Sequence, residues 1–108
     1  MRCQKLFEKG CIGGVEIRNR VAMTAMGNGL ASWDGEVSLE LIRFYEDRAR
    51  GGCGLIFTEF TRMDETSGAC NPNQLCIATR KHIRSTERVR CHGAVSYTHL
   101  TLPTNSRV

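Results

Sequence analysis

The 108-residue sequence has no long apolar run, and its net charge of +4 comes from residues spread along the chain. A membrane-spanning helix needs about 20 apolar residues in a row, so no such helix is predicted. The opening residues, Met1 to Lys5, are not followed by the apolar core of a secretory signal. Internal repeats and low-complexity segments are also missing. These absences predict a cytoplasmic globular protein without a membrane partner.

The six cysteines include no C-x-x-C pair, the spacing that lets one turn present two thiolates to zinc. Cys70 and Cys76 are the best candidates for a redox or metal-ligand role, but their spacing gives little support for one. Since no export signal is evident, free thiols in a reducing compartment are the favoured interpretation. We therefore predict neither a metal site nor a disulfide framework.

The densest basic stretch runs from Arg80 to Arg90 and contains no aromatic residue. The stretch therefore lacks the aromatic side chains, interleaved with cations, that stack on bases in many nucleic-acid sites. A solvated helix face is the favoured interpretation of this stretch. The sequence therefore predicts no nucleic-acid partner.

The first part of the chain has the pattern of short strands. Residues 15–18 alternate between apolar and charged side chains, which predicts a small hairpin within residues 6–19. Residues 20–26 are uncharged after Arg20 and suit a buried strand, and the turn at Gly27-Asn28-Gly29 ends it.

A helix is predicted from Ser38, a good N-cap, to the stop signal at Gly51-Gly52. Glu40 lies in its first turn, where a carboxylate interacts favourably with the helix dipole. Its apolar face consists of Leu41, Ile42, Tyr45 and Ala49. Residues 55–58 then have the pattern of a second short buried strand. Strand, helix and strand in this order predict a right-handed βαβ unit with parallel strands.

The last part of the chain is less regular. A second helix is predicted over residues 79–92, with Ile83 and Val89 as its thin apolar face and with His82 and His92 on its surface. Residues 96–108 contain Pro103 and many polar residues, which oppose a buried strand. They are expected to be a translated artefact, with a native disordered terminus as the alternative. His99, in this tail, is not expected to be catalytic.

Taken in order, the segments resemble the N-terminal region of Old Yellow Enzyme type flavin oxidoreductases. The residues that carry the resemblance are Leu6-Phe7, Ile12-Gly13-Gly14, Ile17-Arg18-Asn19-Arg20-Val21-Ala22-Met23, Thr24-Ala25-Met26, Asp34-Gly35, Tyr45-Glu46-Asp47-Arg48-Ala49-Arg50-Gly51-Gly52 and Gly54-Leu55-Ile56-Phe57-Thr58-Glu59. Asn71-Pro72-Asn73-Gln74-Leu75 leans towards the NADH:flavin oxidoreductase and dienoyl-CoA reductase-like branch. The resemblance implies an α/β fold that forms the hairpin and first βαβ unit of a (β/α)8 TIM barrel, with residues 1–95 as part of an FMN-binding domain.

The resemblance also implies a function for the parent protein. Enzymes of this family bind FMN and pass a hydride from NAD(P)H through the flavin to an activated alkene, here an enone or enoyl compound. Their catalytic His pair and Tyr lie on later strands, so no catalytic residue is expected in this chain. An iron–sulfur cluster and FAD would belong to the missing part. In isolation the chain is expected to be inactive and to aggregate or remain molten, since its strand edges are uncovered.

The resemblance assigns cofactor contacts to Thr24, Ala25, Met26 and Gly27, at the end of the first barrel strand. Small residues suit this position because a ring must approach the backbone closely. Phe60 occupies a position that faces the flavin and is normally small, which implies a changed pocket or a shifted alignment. Glu59 is expected to bond to loop backbone or to a neighbouring cation rather than to act as a base.

Two other interpretations remain open. The Gly27-Asn28-Gly29 turn could belong to a dinucleotide-binding loop, but that motif places Gly at position 32 and opens directly into a helix, whereas this sequence has Ser32. Alternatively, the chain is a non-catalytic α/β binding fragment or a spurious truncated reading frame. The sequence does not determine the substrate or the oligomeric state.

Overall fold

The computed structural model describes residues 3–93, and for residues 90–93 it describes the backbone only. In chain order the elements are α1 (Gln4–Phe7), β1 (Gly10–Ile12), β2 (Val15–Ile17), β3 (Ala22–Met23), α2 (Leu39–Arg50), β4 (Leu55–Ile56) and α3 (Arg80–Gly93). This order confirms the predicted hairpin, βαβ unit and second helix. Within residues 3–93, no helix combines the length and the apolar content that crossing a membrane requires.

Strands β1 and β2 form the predicted antiparallel hairpin, in which Cys11 lies opposite Glu16. Gly13 takes a φ of 59° at the turn, in the left-handed region that glycine enters without steric cost. The hairpin is therefore closed by a residue suited to its turn.

Strands β3 and β4 pair in parallel, with Ala22 opposite Leu55 and Met23 opposite Ile56. The prediction of a buried strand over residues 20–26 is wrong in length and burial, because only two residues pair and Val21, Ala22 and Met26 are exposed. Parallel strands are buried only when both sheet faces are covered. In the described residues only one face is covered, so the strands are short.

The core lies between α2, α3 and the covered face of the sheet. All four residues of the predicted apolar face of α2 are buried, and Ser38 caps the helix by accepting a hydrogen bond from the Leu41 N–H at 3.0 Å. The buried cluster consists of Ala31, Val37, Leu41, Ile42, Tyr45, Ala49, Ile56, Leu75 and Val89. Helix α2 therefore joins the strands to the second helix.

The hairpin is anchored beneath the βαβ unit by Arg18 and Asn19. The Arg18 guanidinium donates hydrogen bonds to the carbonyl oxygens of Ala49 and Cys53, the latter at 3.2 Å. The Asn19 amide donates to the Gly52 carbonyl at 2.6 Å and accepts from the Val21 N–H at 3.0 Å. These bonds join the hairpin to one carbonyl in the last turn of α2 and to two carbonyls just beyond its end.

The buried face of α3 differs from the prediction. His82 is 4% exposed and Ile83 is 43% exposed, so the expected surface histidine is inside and the expected core residue is outside. The buried stripe consists of His82, Ser85, Thr86 and Val89. Its polar members bond to main chain: the Ser85 hydroxyl, for example, accepts from the Val37 N–H at 2.6 Å. A helix that packs on a loop must supply partners for the loop backbone, which explains the polar face. The side chain of His92, and the whole of His99, lie outside the described part.

Candidate functional site

The segment that follows β3 is open to solvent. Thr24, Ala25, Met26 and Gly27 are all exposed, and their main-chain amides donate no hydrogen bond within residues 3–93. Unpaired amides beside small side chains can bond to a flat ligand that carries acceptor atoms. Of the predicted contact residues, these four therefore form one continuous accessible strip at the carboxyl end of the strand.

Phe60 lies against Gly27, which brings the fifth predicted residue to the same place. A Cβ built on Gly27 would overlap Phe60 Cζ, and it would lie 2.7 Å from Phe60 Cε1 and 2.8 Å from Asn71 Nδ2. A side chain at position 27 would therefore have to displace the Phe60 ring and the Asn71 amide, which approach from distant parts of the chain. The phenylalanine ring is 42% exposed and forms one wall of the strip.

Glu59 is buried directly beneath this surface, at 3% exposure. Its Oε2 accepts a hydrogen bond from the Asn28 N–H at 3.1 Å, and its Oε1 accepts from the Leu75 N–H at 3.3 Å. The first interpretation of Glu59, bonding to loop backbone, is confirmed. No cation lies within salt-bridge distance of it in the described part of the chain.

Tyr45 connects Glu59 to α2. The Tyr45 hydroxyl accepts a hydrogen bond from the Glu59 N–H at 2.8 Å, and both residues are buried. Burial raises the pKa of the Tyr45 phenol, because the charged phenolate would lose its hydration. The hydroxyl therefore remains protonated and fixes the segment after β4 against the helix.

A cleft of about 310 Å³ lies beside the strip. Its lining residues are Trp33, Arg62, Ala69, Cys70, Asn71, Pro72, Asn73 and Gln74. Gln74 shapes the floor, since its side-chain oxygen accepts from the Cys70 N–H at 2.7 Å. Arg62 Nε is buried in the wall and makes no hydrogen bond within the described residues. The sequence pattern gave no sign of this cleft, because it forms from loop residues without periodicity.

A polar network fixes the loop between the strip and α2. Asp34 accepts hydrogen bonds from the Ser32 hydroxyl at 2.7 Å and from the Lys81 ammonium at 2.9 Å. The Lys81 bond, followed by the Ser32 bond, holds the pKa of the Asp34 carboxyl well below its usual range. His82 Nε2 lies 2.9 Å from the Asp34 carbonyl oxygen. The start of α3 is thereby fastened to this loop.

Two sequence-based alternatives can now be compared with the geometry. Helix α2 begins at Leu39, well beyond Gly29, so the loop does not open into a helix as a dinucleotide-binding loop requires. Cys76 is buried and Cys70 is exposed, both as free thiols. In the part of the chain that is described, no group of His, Cys, Asp and Glu side chains is arranged to hold a metal ion.

Comparison with known proteins identifies similar sequences. The sequence profile of the NADH:flavin oxidoreductase / NADH oxidase family matches residues 5–94. An NADH oxidase of Thermoanaerobacter brockii is 41% identical over 93 residues, which are 82% of this chain and 14% of that protein. A cinnamate reductase of Clostridium sporogenes is 34% identical over 106 residues, which are 89% of this chain and 16% of that protein. The chain therefore spans only a small part of the length of either relative.

Comparison with solved structures supports the predicted barrel architecture. The Old Yellow Enzyme from Pichia sp. AKU4542 matches with a TM-score of 0.78 at 21% identity, over 88% of this chain and 24% of that one. At this identity the likeness concerns the fold alone. The predicted architecture, the N-terminal portion of a TIM barrel, is confirmed.

Proposed function

Because this chain belongs to the NADH:flavin oxidoreductase / NADH oxidase family, we propose that it is the N-terminal part of an FMN-dependent oxidoreductase. The family is one of oxidoreductases. The use of NAD(P)H and of an enone or enoyl substrate is part of the proposal, and the similarity to a cinnamate reductase supports an activated alkene.

The observation that carries the proposal is the open strip at the end of β3. Barrel enzymes of this architecture place their sites at the carboxyl ends of the strands, where the strip lies. Its exposed backbone and free amides, with no side chain at Gly27 and a small one at Ala25, fit the edge of a flavin ring. In this proposal Thr24, Ala25 and Met26 hold the ring edge, while Gly27 and Phe60 form the adjoining wall.

The chemistry that FMN supplies when bound is hydride transfer from a nicotinamide to an electron-poor alkene. The residues of this chain would bind and orient the ring rather than move protons. Glu59, the only buried carboxylate among the described residues, is bonded to two main-chain amides and is not free to act as a base. We therefore propose that the chain is inactive without further strands. An iron–sulfur cluster, FAD, a cytoplasmic location and a non-native origin of residues 96–108 remain predictions.

A chimera tests the proposal. The matching segment of the Thermoanaerobacter brockii NADH oxidase is replaced by residues 5–93 of this chain, which gives a protein that we call the barrel chimera. FMN retained after purification is measured by absorbance for the barrel chimera, the unmodified relative and the 108-residue chain. We expect flavin in the first two and none in the third. A folded barrel chimera without flavin, beside a relative that holds it, would contradict the proposal.

The origin of the chain is tested separately. An independent long read across the codon for Val95 shows whether the reading frame continues into further barrel strands. Continuation would support a longer parent, and a stop after Val108 would favour the interpretation as a truncated reading frame.

A further inference from the structure

We propose that Glu59 is a positioning residue that sets the conformation of the strip formed by residues 24–27. This inference rests on the proposed function, since the strip is the proposed site of flavin contact. Glu59 itself reaches no exposed surface at 3% exposure, so any effect on a ligand must pass through the residues that it holds.

The two carboxylate oxygens hold two different loops. Oε2 binds the N–H of Asn28, the residue directly after the strip, at 3.1 Å. Oε1 binds the N–H of Leu75, from the loop that contributes Asn71 to the wall around Gly27, at 3.3 Å. One side chain therefore fixes the strip and the opposite wall relative to each other.

The backbone of Glu59 is fixed as well. Its N–H donates to the buried Tyr45 hydroxyl at 2.8 Å, which ties the carboxylate to the rigid helix α2. The next residue, Phe60, packs on Gly27. The backbone position of Glu59 is thus fixed by α2, which does not belong to the strip.

The chemistry of the side chain matters because both partners are donors. A carboxylate accepts at both oxygens, whereas the amide of glutamine accepts at one and turns an N–H₂ group towards the other donor. Glu59→Gln would therefore release either Asn28 or Leu75 with almost no change of volume. Glu59→Asp keeps the charge but is one methylene shorter, so it cannot span the same two loops.

The barrel chimera allows a direct test with Glu59→Gln, Glu59→Asp and, as control, Glu87→Gln on the exposed face of α3. The dissociation constant for FMN is measured by fluorescence after removal and return of the flavin. The visible spectrum and the reduction potential are measured at saturating FMN. We expect both Glu59 variants to bind FMN about tenfold more weakly, from loss of one hydrogen bond to a charged group, and to shift the spectrum and potential. The control should match the barrel chimera.

A merely structural role predicts a different result. If the Glu59 variants unfold at lower temperature but keep the FMN dissociation constant, spectrum and potential of the barrel chimera, the inference is overturned. Where Glu59→Gln does not fold, Glu59→Asp decides by the same readouts. A barrel chimera that lacks flavin with Glu59 intact contradicts the proposed function instead, so the two failures are distinguishable.

Discussion

Replacing Tyr45 by Phe removes one oxygen atom from the core and leaves the Glu59 N–H without its acceptor. The two groups are 2.8 Å apart and buried, so water cannot replace the lost bond. An unsatisfied buried donor costs about 1–3 kcal/mol. Because 1.4 kcal/mol corresponds to a factor of ten, the Glu59 amide should exchange with solvent about 5- to 150-fold faster.

Hydrogen exchange of the barrel chimera measures this change at the Glu59 amide itself, since the protection of an amide reports local opening of the structure. Thr61→Val is the matched control. Its hydroxyl donates to the carbonyl oxygen of the same Glu59 at 3.0 Å, so this variant loses a bond to Glu59 but leaves the amide bond intact. Unchanged protection of the Glu59 amide in Tyr45→Phe, with the amides of α2 also unchanged, would refute the reasoning.

Three further predictions concern the loop that precedes α2 and Cys76, which contacts that loop at Gly35. Gly35 has a φ of 90°, and a Cβ there would lie 2.5 Å from Cys76 Cβ. Gly35→Ala should therefore destabilise the barrel chimera by about 2–4 kcal/mol, as measured by hydrogen exchange. Gly52→Ala, at a φ of 112° with open space around the site, should show only the smaller backbone cost. The pKa of the Asp34 carboxyl is lowered, first of all by its bond to Lys81. Its contribution to stability is therefore present above the ordinary aspartate pKa of about 3.9 and is lost as the pH falls through the lower pKa of the folded protein. Lys81→Met should raise the Asp34 titration midpoint in carbon-13 NMR, and an unmoved midpoint would contradict this. Cys76 is fully buried, so in the folded barrel chimera iodoacetamide should label it only after unfolding, while exposed cysteines react at once. Mass spectrometry of the native and denatured barrel chimera measures this.

Helix α2 could be predicted in detail because its determinants are local. The N-cap, the acidic first turn, the apolar stripe and the terminal glycines all lie within a few residues of the places where they act. The buried face agrees with the prediction in all four residues. Nothing distant in the chain competes with these signals.

Helix α3 shows why the same reasoning fails elsewhere. Its bounds could be predicted, but its buried face could not, because apolar periodicity assumes that a helix packs on side chains. Here Ser85 and His82 bond to the main chain near Val37 and Asp34. Three polar residues, His82, Ser85 and Thr86, are inside and Ile83 is outside, since the partner surface includes loop backbone groups that need hydrogen-bond partners.

The position of the strip after β3 could be inferred from the sequence, but the contacts around it could not. The strip of residues 24–27 follows a strand, and its position can be inferred from the order of elements. The contacts of Gly27 with Phe60 and Asn71 join residues far apart in the chain, and no local pattern encodes them. The same holds for the two loops that meet at Glu59.

The hydrogen bonds that Arg18 and Asn19 donate go only to carbonyl oxygens, those of Ala49, Gly52 and Cys53. Main-chain carbonyls are present whatever side chain a residue carries, so these hydrogen bonds need no matched pair of side chains. The joint does require glycine at position 54, because a Cβ there would overlap Asn19 Oδ1. The hairpin, together with Arg18 and Asn19, therefore forms a unit that could be transferred to another barrel. It should be exchangeable between barrels of the family whose backbones follow the same path, without redesign of the helix that receives it.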